Sequence, residues 1–135
     1  MFGSGAFDYI NVLNKAADVK VYRNEVISNN IANVDTPNYK RKDVLFEENL
    51  QRALENASDG MGSAATLKQK VANIDLNQAK EVTYICHSGL SYRQDGNNVD
   101  MATEQTELAA NQIQYQALVD SMTQEFSRIR SVLGN

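Results

Sequence analysis

Two long stretches without proline or glycine lie near opposite ends of this 135-residue chain, at residues 7–36 and 101–132. Pro37 directly follows the first stretch. In each stretch, apolar residues recur at three- and four-residue spacings, which is the pattern of an amphipathic helix. The two predicted helices are about 40 Å and about 48 Å long at 1.5 Å per residue. Long helices with narrow apolar stripes need a partner along their length. We therefore expect a mainly α fold in which the terminal helices form an antiparallel, coiled-coil-like pair.

The apolar stripes identify the side chains that are expected to pack along the helices. They are Ile10, Leu13, Ile27 and Ile31 in the first helix, and Leu108, Tyr115, Leu118, Met122 and Phe126 in the second. The second stripe has a nearly sevenfold rhythm, and Glu104 and Asn111 stand at the positions that it skips. Polar residues inside an apolar stripe fix register and partner number. Glu104 and Glu107 are also near the start of the helix, where we expect them to be charges on a solvated face.

The ends of both helices are marked by local signals. Pro37 lacks a backbone N–H and disfavours the helical conformation in the residue before it, so the first helix should end near Val34. Asn38 suits a turn because asparagine tolerates the left-handed region. Asp100 is a good N-cap for the second helix, and Gly134 a good C-terminal stop.

The middle of the chain carries weaker signals. We expect a short extended segment at residues 44–46 that folds back, a helix at Glu47–Asn56, and a short amphipathic helix around Leu67 and Val71. Residues 57–65 have the composition of a flexible linker. The pattern at residues 81–86 predicts a strand. Because a lone strand is not stable in water, this segment either pairs with residues 90–92 as a short hairpin or stays irregular. The domain boundaries follow: a helical axial domain from residues 1–46 and 95–135, and a variable middle segment at 47–94.

Cys86 and His87 are the only place where catalytic or metal chemistry could begin. Neighbours in an extended segment point to opposite faces, so the two cannot form a nucleophile–base pair. Zinc requires three or four ligands, and the chain has one cysteine and one histidine. We therefore expect no enzyme, no catalytic, cofactor-binding or metal-binding residues, and no cofactor or small-molecule substrate.

Charge and hydropathy restrict the partners. A net charge of −4 argues against a nucleic-acid partner. Acidic residues follow the cluster at 40–42 directly, so we interpret the cluster as a solvated turn rather than a phosphate site. No apolar run approaches the roughly 20 residues of a membrane span. The N-terminus has no basic region followed by an apolar core, so we expect no cleaved secretory signal.

Residues 28–40, Ser-Asn-Asn-Ile-Ala-Asn-Val-Asp-Thr-Pro-Asn-Tyr-Lys, resemble the N-terminal signature of the bacterial flagellar axial proteins, the rod and hook family. The residues that carry the signature are Asn29, Asn30, Ala32, Asn33, Thr36, Pro37 and Tyr39. Asn38 stands where the family usually has glycine, and both residues accept a positive φ. A second motif, Asp-Gly-Asn-Asn-Val-Asp at 95–100, resembles the start of the C-terminal helix in the rod members. The short length and Arg-Lys-Asp-Val at 41–44 point to the proximal rod within this family.

The resemblance implies a structural subunit of the flagellar basal-body rod that polymerises through its terminal helices into a hollow, torque-transmitting shaft. The implied partners are copies of itself, other rod proteins (FlgC-like), a basal adaptor (FliE-like), and the membrane ring or export gate. The implied location is the periplasmic rod of the basal body, reached through the flagellum's own export channel without a cleaved signal peptide. The residues alone leave an alternative open, a soluble helical adaptor or chaperone-like binding module of a secretion system.

Overall fold

The computed structural model describes residues 5–58, 65–87 and 93–134. Its elements are α1 (Gly5–Ala32), β1 (Lys42–Leu45), α2 (Glu47–Asn56), α3 (Leu67–Ala72), β2 (Val82–Ile85) and α4 (Met101–Leu133). The first turns of α4 lie beside the last turns of α1, and the end of α4 lies near Gly5. The two long helices are therefore antiparallel, which confirms the predicted mainly α fold. The glycine-rich stretch 59–64 and the predicted hairpin partner 90–92 are outside the described residues.

The ends of the long helices follow the local signals. Asp100 caps α4: its carboxylate accepts hydrogen bonds from the Ala102 N–H at 3.3 Å and from the Thr103 hydroxyl at 2.6 Å. The helix α1 ends at Ala32, two residues before the predicted end, and a run of turns carries the chain past Pro37. Asn38 has a φ of 61°, in the left-handed region that was expected there.

The main hydrophobic cluster lies between α1 and the middle of the chain rather than between the terminal helices. It consists of Val19, Val26, Val44, Phe46, Ala53 and Ala79. Val19 comes about two and a half turns after Ile10, so these two residues point to opposite sides of α1. The apolar stripe predicted from the sequence contains Ile10 but not Val19. The helix in fact buries two faces, one against α4 and the other against β1, α2 and the 74–79 segment.

The predicted strand at 81–86 exists, but its partner in the structure is β1. The two strands are antiparallel, with Leu45 opposite Val82 and Lys42 opposite Ile85. The pair connects segments about 40 residues apart, and no local turn signal in the sequence indicates such a pairing. The Tyr22 hydroxyl lies 2.6 Å from Thr83 Oγ1, which attaches one face of this small sheet to α1.

The start of α2 is fixed to α1 by charged groups. The Glu47 carboxylate accepts two hydrogen bonds of 2.6 Å from the Arg23 guanidinium, and Lys20 Nζ donates to it at 2.8 Å. The Arg23 contact, followed by that of Lys20, lowers the pKa of Glu47 to about 2 even though partial burial acts in the opposite direction. The carboxylate therefore stays charged over a wide pH range.

Replacing Phe46 by alanine should destabilise the fold strongly. The side chain is 2 % exposed, and such a deletion costs about 3–5 kcal/mol through lost burial and the cavity that remains. The measurement is urea unfolding followed by circular dichroism. Phe7→Ala is the matched control because Phe7 is 54 % exposed, and its change should stay within about 0.5 kcal/mol. Equal stability of the two variants would contradict this core.

The free energy of unfolding should decrease at low pH because Glu47 becomes protonated. Because its pKa is lower in the folded state than the ordinary value of 4.5, its contribution is complete above about pH 5 and is lost as the pH falls towards 2. The side chain is 55 % exposed, so solvent screening limits the contribution to about 1 kcal/mol. Glu47→Gln should remove this part of the pH dependence, and Glu48→Gln, at an exposed position next to it, should not. Unfolding free energies measured from pH 7 to pH 3 test the difference.

Candidate functional site

The two sequence motifs meet at one end of the helix pair. The end of α1, the turns that follow it, and the segment that leads into α4 contact one another through polar side chains. We call this region the terminal junction and define it by Asn30, Asn33, Tyr39, Arg41, Asn97, Asn98 and Glu104. Three of its residues, Asn30, Asn97 and Glu104, have no exposed surface.

Asn30 connects α1 to the start of β1. Its Nδ2 donates to the Lys42 carbonyl at 2.7 Å and to Glu104 Oε2 at 3.0 Å. Its Oδ1 accepts hydrogen bonds from the Lys42 N–H at 3.0 Å and from the Tyr39 hydroxyl at 3.2 Å. The Asn30 side-chain amide thus forms a pair of hydrogen bonds with the Lys42 backbone, as the backbone of a neighbouring strand would. All hydrogen-bonding groups of this side chain have partners inside the protein.

Glu104 forms an ion pair with Arg41, whose Nε donates to its Oε1. The expectations that Glu104 lies on a solvated face and that Arg41 belongs to a solvated turn are therefore wrong. The guanidinium also donates to Asp43 Oδ2 at 3.0 Å and to Cys86 Sγ at 3.3 Å. Burial alone would lower the pKa of Arg41, but the hydrogen bonds to Glu104 and Asp43 outweigh it and raise the pKa. The position of Glu104 in the first turn of α4 predicts a solvated charge, whereas its partly buried partner Arg41 comes from a loop 63 residues earlier.

Asn97 closes the C-terminal end of α1. Its Nδ2 lies 2.9 Å from the Asn33 carbonyl, 3.0 Å from that of Val34 and 2.8 Å from that of Thr36. These carbonyls lie in the turns that directly follow α1, so one amide from the second motif holds the chain just past the end of the first helix. The residues around Asn97 predict only a turn, and its position in the second motif is the sequence signal of this further role.

Direct contacts between the two motifs continue on both sides of Asn97. Asn98 Oδ1 accepts from the Arg41 N–H at 2.6 Å, and its Nδ2 donates to the Cys86 carbonyl at 2.8 Å. The Asn38 N–H donates to the Asp95 carbonyl at 2.7 Å. Gly96 has a φ of +75°, and a Cβ at that position would be 2.7 Å from Asn38 Oδ1. Only glycine fits this approach without strain.

The predicted signature residues fall into two groups. Asn30 is buried, and Asn33 and Tyr39 are partly buried in the terminal junction, whereas the others, Asn29, Ala32, Thr36 and Pro37, are exposed. The predicted seam residues also differ in their surroundings. Ile10, Leu13 and Ile27 are buried; Ile31, Leu108, Leu118 and Met122 are partly buried; Tyr115 and Phe126 are exposed.

Cys86 and His87 lie beside the junction without forming a reactive pair. The cysteine is buried and accepts the hydrogen bond from Arg41, and the histidine is exposed. In the described ranges, no three histidine, cysteine, aspartate or glutamate side chains come together in a way that could hold a metal ion. Within the same ranges, no helix combines the length and hydropathy that crossing a membrane requires.

The fold and the junction together define a class, namely helical proteins in which the end of a long N-terminal helix and the start of a long C-terminal helix are joined by a buried polar network. Residues 22–40 match a family model described as flagella basal body rod protein. The chain is 41 % identical over 131 residues to the flagellar basal body rod protein FlgB of Bacillus subtilis (strain 168), covering 96 % of this chain and 94 % of the relative. It is 34 % identical to FlgB of Borrelia hermsii (92 % and 94 % covered) and 30 % identical to FlgB of Escherichia coli (strain K12) (88 % of each).

The chain belongs to the FlgB family of flagellar basal body rod proteins, which confirms the resemblance carried by residues 28–40. It is accordingly a structural subunit of the proximal rod in the flagellar basal body, and its role is in motility. Three of the signature residues, Asn30, Asn33 and Tyr39, lie in the terminal junction.

Removing the buried carboxylate should damage the junction selectively. Glu104→Leu removes the carboxylate that accepts from both the Arg41 guanidinium and the Asn30 amide. Loss of one member of a buried ion pair costs about 3–5 kcal/mol. Glu107→Leu is the control, because Glu107 is exposed on the same helix. Adding Arg41→Met to Glu104→Leu should recover part of the loss, since the guanidinium then no longer lies in the junction without the Glu104 carboxylate. Urea unfolding of the wild type, Glu104→Leu, Arg41→Met, their double variant and the Glu107→Leu control tests the pair, and simple additivity of Glu104→Leu and Arg41→Met would contradict it.

Proposed function

We propose that this subunit polymerises through its terminal helices into a hollow shaft that transmits torque. The observation that carries the proposal is the exposure of large apolar side chains along α4, where Ile113 is 71 %, Phe126 52 % and Leu133 66 % exposed. On α1, Phe7 and Val21 are also about half exposed. Burying such side chains contributes roughly 1.5–3 kcal/mol each, which a single copy does not obtain. Contacts with further copies supply the burial.

The geometry favours an open polymer. The exposed apolar positions lie on different faces of two long antiparallel helices, so one subunit offers several unlike surfaces. Unlike surfaces make head-to-tail contacts, and such contacts give helical tubes when their rotation does not close. In this arrangement the axial domain consists of residues 1–46 and 95–135, and residues 47–94 form the variable segment on its side.

The signature and seam residues have two roles in the proposal. Asn30, Asn33 and Tyr39 hold the terminal junction inside each subunit. The exposed signature residues and the exposed seam residues contact neighbouring subunits; these are Asn29, Ala32, Thr36, Pro37, Tyr115 and Phe126. No catalytic step is part of this function, and the protein acts as a structural element rather than as an enzyme.

The neighbours in the proposal are other copies, other rod proteins (FlgC-like), the basal adaptor (FliE-like), and the membrane ring or export gate. Support comes from the basal body rod family and from the relatives' names. The subunit reaches the periplasmic part of the rod through the flagellar export channel without a cleaved signal peptide. Its exposed apolar surface fits an export route in which subunits join the structure directly.

Ile113→Asp tests polymerisation without disturbing the single subunit. Because the side chain is 71 % exposed, the substitution should change the unfolding free energy by less than about 0.5 kcal/mol. It places a charge in the subunit contact, so we expect loss of the chain from isolated basal bodies and loss of swimming. Gln112→Asp, at an exposed neighbouring position, introduces the same charge on another face and should be tolerated better. Normal swimming of the Ile113→Asp strain would contradict this interface.

A further inference from the structure

The small sheet has an outer face that the described part of the chain leaves uncovered. Val44 is buried against α1, and its cross-strand neighbour Thr83 contacts Tyr22 on the same side. Because side chains alternate along a strand, Leu45, Val82 and Tyr84 point to the opposite side. Val82 is 49 % and Tyr84 46 % exposed. We call Leu45, Val82 and Tyr84 the outer sheet face.

Acidic groups border the outer sheet face. Asp43 lies directly opposite Tyr84 in the strand pair, and Glu48 is in the first turn of α2. Burial raises the pKa of Tyr84, the charges of Asp43 and Glu48 raise it further, and that of Arg41 lowers it. Asp43 is paired with Arg41, whereas Glu48 has no ion-pair partner within the described ranges. The face therefore combines apolar side chains with an uncompensated negative charge.

The last turns of α4 carry the complementary pattern. Phe126, Arg130 and Leu133 are spaced by four and three residues, so they form one stripe on the helix. Phe126 and Leu133 are more than half exposed, and Arg130 is exposed between them. The nearby Arg128 is paired with Glu125 at 2.6 Å, whereas Arg130 has no ion-pair partner among the residues that the structure describes. We call Phe126, Arg130 and Leu133 the α4 end stripe.

We propose that the outer sheet face is the docking site for the α4 end stripe of a second copy of this chain. Phe126 and Leu133 cover Val82 and Tyr84, and Arg130 lies beside Glu48. The inference rests on the proposed polymerisation and names one of its contacts. Because the two surfaces differ and every copy carries both, the contact repeats head to tail along the assembly.

The size of the contact determines when it forms. Three side chains from each partner bury far less than the roughly 1,200 Å² of a stable isolated interface. The contact is therefore too weak to hold two free subunits together. Inside a polymer, where the long helices already hold neighbours close, the effective concentration is high enough for it to form. It adds stiffness at the side of the shaft after the helices have joined.

Cysteine cross-linking in basal bodies tests the contact directly. Val82→Cys and Leu133→Cys are made separately, each with Cys86→Ser, and the two variants are expressed in the same cells. We expect a disulfide-linked dimer on non-reducing gels of purified basal bodies only when both variants are present. The control pair, Val82→Cys with Gln112→Cys, should give no dimer.

The outcomes separate this contact from polymerisation itself. If basal bodies contain both variants but no cross-linked dimer, the proposed contact is wrong, whereas the proposed polymerisation is not contradicted. A cross-link from Val82→Cys to a different rod protein would overturn the assignment to a second copy. Absence of the wild-type chain from basal bodies would instead contradict the proposed function.

A charge exchange provides an independent test. Arg130→Glu places a like charge beside Glu48 and should reduce swimming, and adding Glu48→Arg should restore it by re-forming the pair with reversed signs. Arg128→Glu combined with Glu48→Arg is the matched control, because Arg128 is outside the α4 end stripe, and should show no such restoration. If the Arg130→Glu, Glu48→Arg double variant swims no better than Arg130→Glu alone, the pairing is wrong.

Discussion

The buried ion pair between Arg41 and Glu104 is the interaction on which the arrangement of the terminal helices depends. It connects the turn after α1 to the first turns of α4, and Asn30 extends it to α1 through a hydrogen bond to the same carboxylate. Taking these groups out of water is costly, and apolar residues of similar size are often at least as stabilising. The benefit of the pair lies in specificity. If α4 slid along α1 by one turn, Glu104 would lose Arg41 and remain as a buried, unpaired charge.

A second polar contact fixes the same register from further along α4. Asn111 is seven residues after Glu104 and therefore on nearly the same face, and its Nδ2 donates to the Lys20 carbonyl at 2.7 Å. Lys20 in turn reaches Gln114 at 2.7 Å as well as Glu47. The interface between the long helices thus alternates polar anchors with a narrow apolar stripe. Such an interface aligns the helices well but buries little of their surface, so side chains such as Ile113 and Phe126 remain exposed.

Features determined by neighbouring residues could be predicted from the sequence, and those determined by distant residues could not. The bounds of α2 and the capping of α4 by Asp100 depend on local patterns and agree with the structure. The pairing of β1 with β2 joins segments that no turn connects, so periodicity contains no information about it. The burial of Glu104 depends on Arg41, 63 residues away, and a carboxylate near a helix start is usually solvated. The position of Glu104 within the apolar stripe of α4 is a sequence signal of its burial.

The need to fix the register of the two long helices explains why this rod subunit contains polar groups where a globular protein would use apolar ones. Hydrophobic contacts are non-directional, so two helices held only by an apolar stripe can slide past each other with little change in free energy. A subunit that transmits torque, as we propose for this one, must resist this sliding. Hydrogen-bonded groups such as Asn30, Asn97 and Glu104 resist it, because a small displacement leaves buried polar atoms without partners at about 1–3 kcal/mol each. The polar junction therefore keeps each subunit in one shape, and in the polymer that we propose the exposed apolar side chains join the subunits together.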